Sequence, residues 1–91
     1  MACGQVTLGA GQNTRLQINT QRAMQLIIQN NTGASIRVGD DTRVSSTFGL
    51  VVGAGGSDAA GTFTSGATNL NAWYIAGASG AVIDFQFTPE D

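Results

Sequence analysis

The chain has 91 residues, of which 42% are apolar and 11% are charged, and it contains neither histidine nor lysine. This length fits one domain with its own hydrophobic core, and the two missing residue types remove side chains that enzymes commonly use for proton transfer. The formal net charge of −2, with only four arginines, gives no basic surface that would bind nucleic acid or an anionic membrane.

The N-terminal residues 1–13 are predicted to form an extended arm, and residues 14–91 a single domain. The arm carries Val6 and Leu8, and an extended segment of this kind is suited to adding a strand to a neighbouring subunit. Its start lacks the basic and apolar stretches of a signal peptide, so we expect synthesis in a cytoplasm. Cys3 is the only cysteine, which excludes an intrachain disulfide and predicts a free thiol.

Alternation of apolar and polar residues predicts half-buried strands at residues 15–19, 24–29, 36–38 and 83–87. In the second of these, Met24, Leu26 and Ile28 are expected to share the buried face. Two further apolar runs, residues 48–52 and 73–76, predict strands that are buried on both faces. Apolar residues do not recur with helical spacing over three turns, so we expect little or no helix.

Segments rich in Gly, Asn, Asp and Ser separate the predicted strands, at residues 30–33, 39–42 and 78–81. Residues 30–32 also match the N-glycosylation acceptor pattern, but without a secretion signal we expect a hairpin turn there. Residues 53–61 predict a long surface loop, and Pro89 is expected to end the last strand. Short, regularly spaced strands predict an all-β fold, a small antiparallel β-sandwich (jelly-roll-like) or a barrel.

We expect no catalytic residues, no metal site and no cofactor. A zinc site needs cysteine or histidine ligands that this chain cannot supply, and no segment has the spacing of a calcium-binding EF-hand loop. The adjacent Asp40 and Asp41 are interpreted as turn-forming residues. The glycine-rich segments do not complete a phosphate-binding motif. The chain is therefore predicted not to be an enzyme.

Trp73 and Tyr74 are adjacent on a predicted strand, so their side chains point to opposite faces. One ring is expected in the core, and the other is a candidate anchor for a partner protein or a platform for stacking a sugar. The four arginines, Arg15, Arg22, Arg37 and Arg43, are expected on solvated strand faces. One or two of them are suited to a forked pair with a carboxylate of a neighbouring subunit. The candidate interface consists of Val6, Leu8, Arg15, Trp73 and Tyr74.

Several strand and turn segments resemble those of small β-proteins from tailed-phage virions. The segments are residues 26–33, 36–40, 44–45, 70–76 and 82–85. In that group, a strand that ends in an asparagine turn is followed by a strand that ends in the pattern apolar-x-Val-Gly-Asp. A glycine-rich turn and a closing aromatic hairpin complete the pattern. The length and the lysine-free composition are similar to those of capsid decoration (cement) proteins.

The resemblance implies a structural protein on the capsid exterior that is made in the host cytoplasm. Its partners would be further copies of itself, with a trimer favoured, and the major capsid protein. A symmetric oligomer that bridges capsomers binds multivalently and thereby stabilises the shell. Two other functions stay open: a structural module of a tail or fibre, and a carbohydrate-binding module that uses Trp73 or Tyr74 near Asn69 and Asn71.

Overall fold

The computed structural model describes residues 2–17, 21–53 and 61–89. These residues form nine strands and no α-helix. The strands are β1 (Ala2–Thr7), β2 (Thr14–Arg15), β3 (Arg22–Gln29), β4 (Ile36–Gly39), β5 (Leu50–Val52), β6 (Thr62–Ser65), β7 (Thr68–Asn69), β8 (Tyr74–Ala76) and β9 (Val82–Pro89). A short 3₁₀ helix, Leu70–Ala72, connects β7 to β8.

The strands assemble into two antiparallel sheets. The first sheet has the strand order β1-β9-β3-β6, and β7 pairs with the N-terminal end of β3. The second sheet has the order β2-β8-β4-β5. Residues from both sheets form one buried apolar cluster, so the sheets pack against each other as a β-sandwich. The predicted all-β, antiparallel fold is confirmed.

The core lies between the sheets because apolar side chains alternate with polar ones along the central strands. Leu26 and Ile28 of β3 and Phe85 of β9 belong to the buried cluster on the side of the first sheet. Val38 of β4 and Ile75 of β8 contribute to it from the second sheet. The period-two alternation therefore correctly predicted the positions of β3, β4 and β9.

The buried face of β3 differs from the prediction at its N-terminal end. The sequence predicts Met24 on the same face as Leu26 and Ile28, but its side chain is 59% exposed and Ala23 is buried instead. The cause is a register shift in the pairing of β3 with β9 between Ala23 and Gln25. A bulge inserts one extra residue and changes the facing of the residues before it. The predicted burial of Met24 is therefore wrong.

The two apolar runs that predict doubly buried strands have different outcomes. Residues 73–76 contain β8, which lies between β2 and β4, and Ile75 is fully buried there. Residues 48–52 contain β5, which lies at the edge of the second sheet and, within the described part of the chain, pairs with β4 alone. Leu50 and Val51 are 57% and 59% exposed. The prediction of a strand buried on both faces is wrong for β5, because these two consecutive residues point to opposite faces of the sheet and both are exposed.

The turn at residues 30–33 connects the two sheets and is not the predicted hairpin. It joins β3 of the first sheet to β4 of the second, and these strands do not pair. Asn30 is fully buried at this corner. Its Nδ2 donates to the carbonyl oxygens of Ala34 (2.8 Å) and Gly53 (3.0 Å), and its Oδ1 accepts from the backbone N–H of Thr32 at 3.0 Å. These bonds fix the corner to the segments that flank β4 and β5.

The predicted arm, residues 1–13, lies within the sandwich over its described part. β1 pairs along its whole length with β9 and forms an edge of the first sheet. Leu8 is 2% exposed, and its backbone N–H donates to the carbonyl oxygen of Ala81 at 2.8 Å. Asn13 Nδ2 donates to the carbonyl oxygen of Val44 at 2.7 Å. The arm is therefore not separate from the domain, because its apolar side chains pack against the core.

Two predicted segments lie partly outside the described residues. The strand predicted at residues 15–19 corresponds to β2, which ends at Arg15, and residues 18–20 are outside the description. The loop predicted at residues 53–61 is described only at its two ends, Gly53 and Gly61.

Candidate interaction surfaces

Three of the five predicted interface residues are packed inside the sandwich. Leu8 and Trp73 belong to the core, and Val6 is half-buried against it. Trp73 is 6% exposed, its Nε1 donates to Thr68 Oγ1 at 2.8 Å, and its ring centroid lies 5.3 Å from that of Phe63. Leu8 and Trp73 are therefore core residues in this structure, because their surfaces are already covered by the same chain.

The other two predicted residues, Arg15 and Tyr74, are direct cross-strand partners of β2 and β8. The guanidinium carbon of Arg15 lies 5.2 Å from the ring centroid of Tyr74, and its Nε donates to Tyr74 Oη at 2.9 Å. The quadrupole of an aromatic ring attracts a cation that lies above the ring face. The Arg15 side chain therefore covers part of the ring that the sequence offered as an exposed anchor.

Sequence reasoning missed an exposed apolar surface at β5, which we call the β5 edge and define as Phe48, Leu50 and Val51. Phe48 is 44% exposed and lies just before β5, and Leu50 and Val51 are the first two residues of that strand. The segment has no charged residue or proline, the usual protections of an edge strand. The signal was present as an apolar run, but the run alone does not distinguish an edge strand from a central one.

The turn that leads to the β5 edge contains an ion pair. Arg43 Nη2 lies 2.9 Å from Asp41 Oδ2, and the backbone N–H of Arg43 donates to Asp41 Oδ1 at 2.8 Å. The side-chain hydrogen bond from Arg43, followed by its backbone hydrogen bond, lowers the pKa of Asp41 to about 2. The same guanidinium lies 5.1 Å from the ring centroid of Phe48. Asp41 therefore serves its own turn, as the sequence predicts.

The outer face of the first sheet is polar, and its side chains bond to one another. Gln5 Nε2 donates to Asp84 Oδ1 and Asn31 Nδ2 donates to Asp84 Oδ2, both at 2.8 Å. Gln86 Nε2 lies 3.5 Å from the exposed Cys3 Sγ. These strands border a shallow hollow of about 680 Å³. Asp84 is the one carboxylate among the described residues that border the hollow, and each of its oxygens already accepts a hydrogen bond from within the chain.

The outer face of the second sheet is different, because it holds Arg37, which has no carboxylate partner within residues 2–17, 21–53 and 61–89. Arg37 lies on β4 between Val51 and Ala76 of the adjoining strands. Its Nη1 donates to the carbonyl oxygen of Gly49 at 2.9 Å, and the φ of Gly49 is 126°, which favours glycine there. Together with the loops around Gln12, this region forms a recess of about 510 Å³.

The described residues do not include a group of three or more His, Cys, Asp or Glu side chains that could hold a metal ion. Every buried side-chain nitrogen or oxygen atom in the same residues has a hydrogen-bond partner. Over the described ranges, no helix is long and apolar enough to cross a membrane.

Comparison with protein-family models, with curated proteins and with solved structures gave no match to this chain.

Proposed function

We propose that this chain is a structural protein of a tailed-phage virion that binds the outer capsid surface as an oligomer. In this proposal the major capsid protein is the partner of the oligomer, and the β5 edge forms the contact between copies of the chain. The β5 edge is the observation that carries the proposal. The resemblance of the five segments between residues 26 and 85 to virion β-proteins supports the virion as the place of action.

An uncovered β5 edge is unfavourable in a free monomer. Leu50 and Val51 expose more than half of their surface on a strand that, among the described strands, has a partner on one side only. Such an edge pairs readily with another strand, because its free backbone groups offer hydrogen bonds and its apolar side chains gain from burial. Contact with a second copy covers both features at once, and a small domain without a disulfide gains stability from it.

An oligomer formed in this way presents several identical surfaces to the repeating shell. Each further contact is then intramolecular, so that weak individual contacts add to a strong attachment. The low charge of the chain supports this role, because only 11% of the residues carry a charge whose hydration would have to be lost.

A carbohydrate-binding module is the weaker alternative. It requires an exposed aromatic ring for stacking, and Trp73 is 6% exposed with its indole N–H bonded to Thr68. The ring of Tyr74 lies beneath the guanidinium of Arg15. Both aromatic residues on which this alternative depends are therefore engaged within the chain.

Leu50→Lys tests the proposal, with Met24→Lys as its matched control. Met24 is an equally exposed apolar residue on the other sheet, so both variants add the same charge at similar exposure. Light scattering should show a wild-type oligomer, with a trimer expected. Leu50→Lys should weaken self-association about 10- to 100-fold, because a buried leucine contributes about 1.5–3 kcal/mol.

Capsid binding is measured by co-sedimentation with phage shells that lack a decoration protein. Wild type and Met24→Lys should sediment with the shells, and Leu50→Lys should lose most of its attachment because it loses multivalency. A wild-type chain that stays monomeric at high concentration, or that leaves the shells bare, would contradict the proposal.

A further inference from the structure

We propose that the recess around Arg37 binds a carboxylate, and that an aspartate or glutamate side chain of the neighbouring copy supplies it. This inference deepens the proposed function, on which its choice of partner rests. The carboxylate site itself depends only on the geometry of the chain.

Arg37 has unused hydrogen-bonding capacity in a partly enclosed place. A guanidinium carries five N–H donors, and the described residues provide one acceptor for it, the carbonyl oxygen of Gly49. The ion pair found among the described residues belongs to Arg43, and the side chain of Arg37 is only half-exposed. A partly desolvated guanidinium interacts with an anion more strongly than a fully hydrated one, because the local dielectric is lower.

The walls of the recess suit an anion. Gln12, Ser35 and Ser46 line it with an amide and hydroxyl groups, which can donate hydrogen bonds to further oxygens. Among the described residues, the lining contains no aspartate or glutamate that would repel an incoming negative charge. Of the described residues that line this recess, Arg37 is therefore the one that carries a charge.

The chemistry of the recess favours a carboxylate over a phosphate. A single guanidinium balances one negative charge and matches the two oxygens of a carboxylate in a forked geometry. A phosphate near neutral pH carries more charge than one arginine balances. Val51 and Ala76, the cross-strand neighbours of Arg37, also line the recess and offer apolar contact to the methylene groups of an aspartate or glutamate.

The recess lies beside the β5 edge, and this position makes a neighbouring copy the source of the carboxylate. Val51 belongs both to the β5 edge and to the lining of the recess, so the two surfaces are continuous. A chain that covers the β5 edge passes directly beside Arg37. Each copy carries six acidic residues, and Asp41 and Asp84 are already occupied by Arg43 and by two amides.

The site is tested by NMR titration of the isotopically labelled chain in the Leu50→Lys background, which keeps the recess open to a small probe. The probe is N-acetylglutamate with its α-carboxyl blocked as an amide, and the corresponding glutamine derivative is the neutral control. The acid should shift the backbone amide signals of Ser35, Val51 and Gly77, with a dissociation constant of about 10–100 mM. The glutamine derivative should leave them in place at equal ionic strength.

Arg37→Gln should weaken this binding about tenfold or more, and Arg15→Gln, the same change on the same sheet, should leave it unchanged. Because Arg37→Gln also removes the bond to Gly49, Ser35→Glu provides a second test that keeps the arginine. Its carboxylate should occupy the guanidinium and block the probe, whereas Ser79→Glu outside the recess should not. Binding that survives both Arg37→Gln and Ser35→Glu, or an equal response to the glutamine derivative, would overturn the site.

Two further measurements test whether the ligand is a carboxylate or a phosphate, and whether a neighbouring copy supplies it. Inorganic phosphate that binds tenfold more tightly than the acid would overturn the carboxylate assignment. In light scattering, Arg37→Gln in the otherwise wild-type chain should weaken self-association about tenfold. Probe binding with unchanged self-association would overturn the neighbouring copy as the source. Probe binding by a chain that never associates would leave the site intact and refute the proposed function instead.

Discussion

The outer faces of the two sheets use their polar groups in opposite ways. On the first sheet, Asp84 accepts hydrogen bonds from Gln5 and Asn31, so residues from separate segments satisfy one another. On the second sheet, Arg37 has no carboxylate partner among the described residues, and Leu50 on the adjoining edge is exposed. The polar side chains of one face can thus hydrogen-bond to one another within the monomer, while an apolar edge of the same sandwich stays open to a partner.

The largest expected effect is on stability, and it concerns the turn at residues 30–33 that joins the two sheets. Asn30→Ala should lower the free energy of unfolding by about 3 kcal/mol, because it removes a fully buried amide that donates to the carbonyl oxygens of Ala34 and Gly53 and accepts from Thr32. Asn31→Ala is the matched control, since its side chain bonds only at the exposed surface, and its cost should stay below about 1 kcal/mol. Urea denaturation measures both variants.

Asn30→Asp sharpens the same test. The carboxylate is nearly isosteric but cannot donate to the oxygens of Ala34 and Gly53, so its cost should equal or exceed that of Asn30→Ala. Equal stabilities of the Asn30 and Asn31 variants would mean that the corner does not hold the sheets together, and the contrast between the two faces would lose its structural basis.

The sequence was sufficient for the central strands and insufficient for their assignment to sheets. Alternation locates β3, β4 and β9 because each has one face in the core. The same alternation occurs in either sheet, so it could not show that residues 30–33 cross between sheets. The exposure of Met24 depends on a bulge in the pairing with β9, and no local residue pattern specifies that pairing.

The candidate site was harder to predict for a related reason. Leu8 and Trp73 are apolar residues whose role depends on what covers them, and the sequence does not contain that information. Phe48, Leu50 and Val51 have the composition of a core strand, yet the strand order puts them at an edge. The sequence offers Arg37 only as one of four equivalent arginines, and the fold distinguishes it by placing it between Val51 and Ala76.

An intermediate effect is expected on the face that is complete in the monomer. Asp84→Asn turns one acceptor oxygen into a donor that faces the amide of Gln5 or Asn31, and it should cost about 0.5–1 kcal/mol in urea denaturation. Asp40→Asn removes the same charge from an exposed turn and should be nearly neutral. Self-association should be unchanged in Asp84→Asn. A loss of association in Asp84→Asn would mean that the first sheet also docks a partner.

The smallest effect concerns the ion pair beside the β5 edge. Arg43 lowers the pKa of Asp41 from 3.8 to about 2, so the stabilisation is complete above about pH 4 and is lost as the pH falls towards 2. Arg43→Gln should return the pKa of Asp41 towards 3.8, observable in the carboxyl ¹³C shift, while Arg15→Gln should not change it. A wild-type midpoint near 3.8 would show that this pair is open in solution. Arg43 would then leave the ring of Phe48 uncovered, and the apolar edge would be larger than the structure indicates.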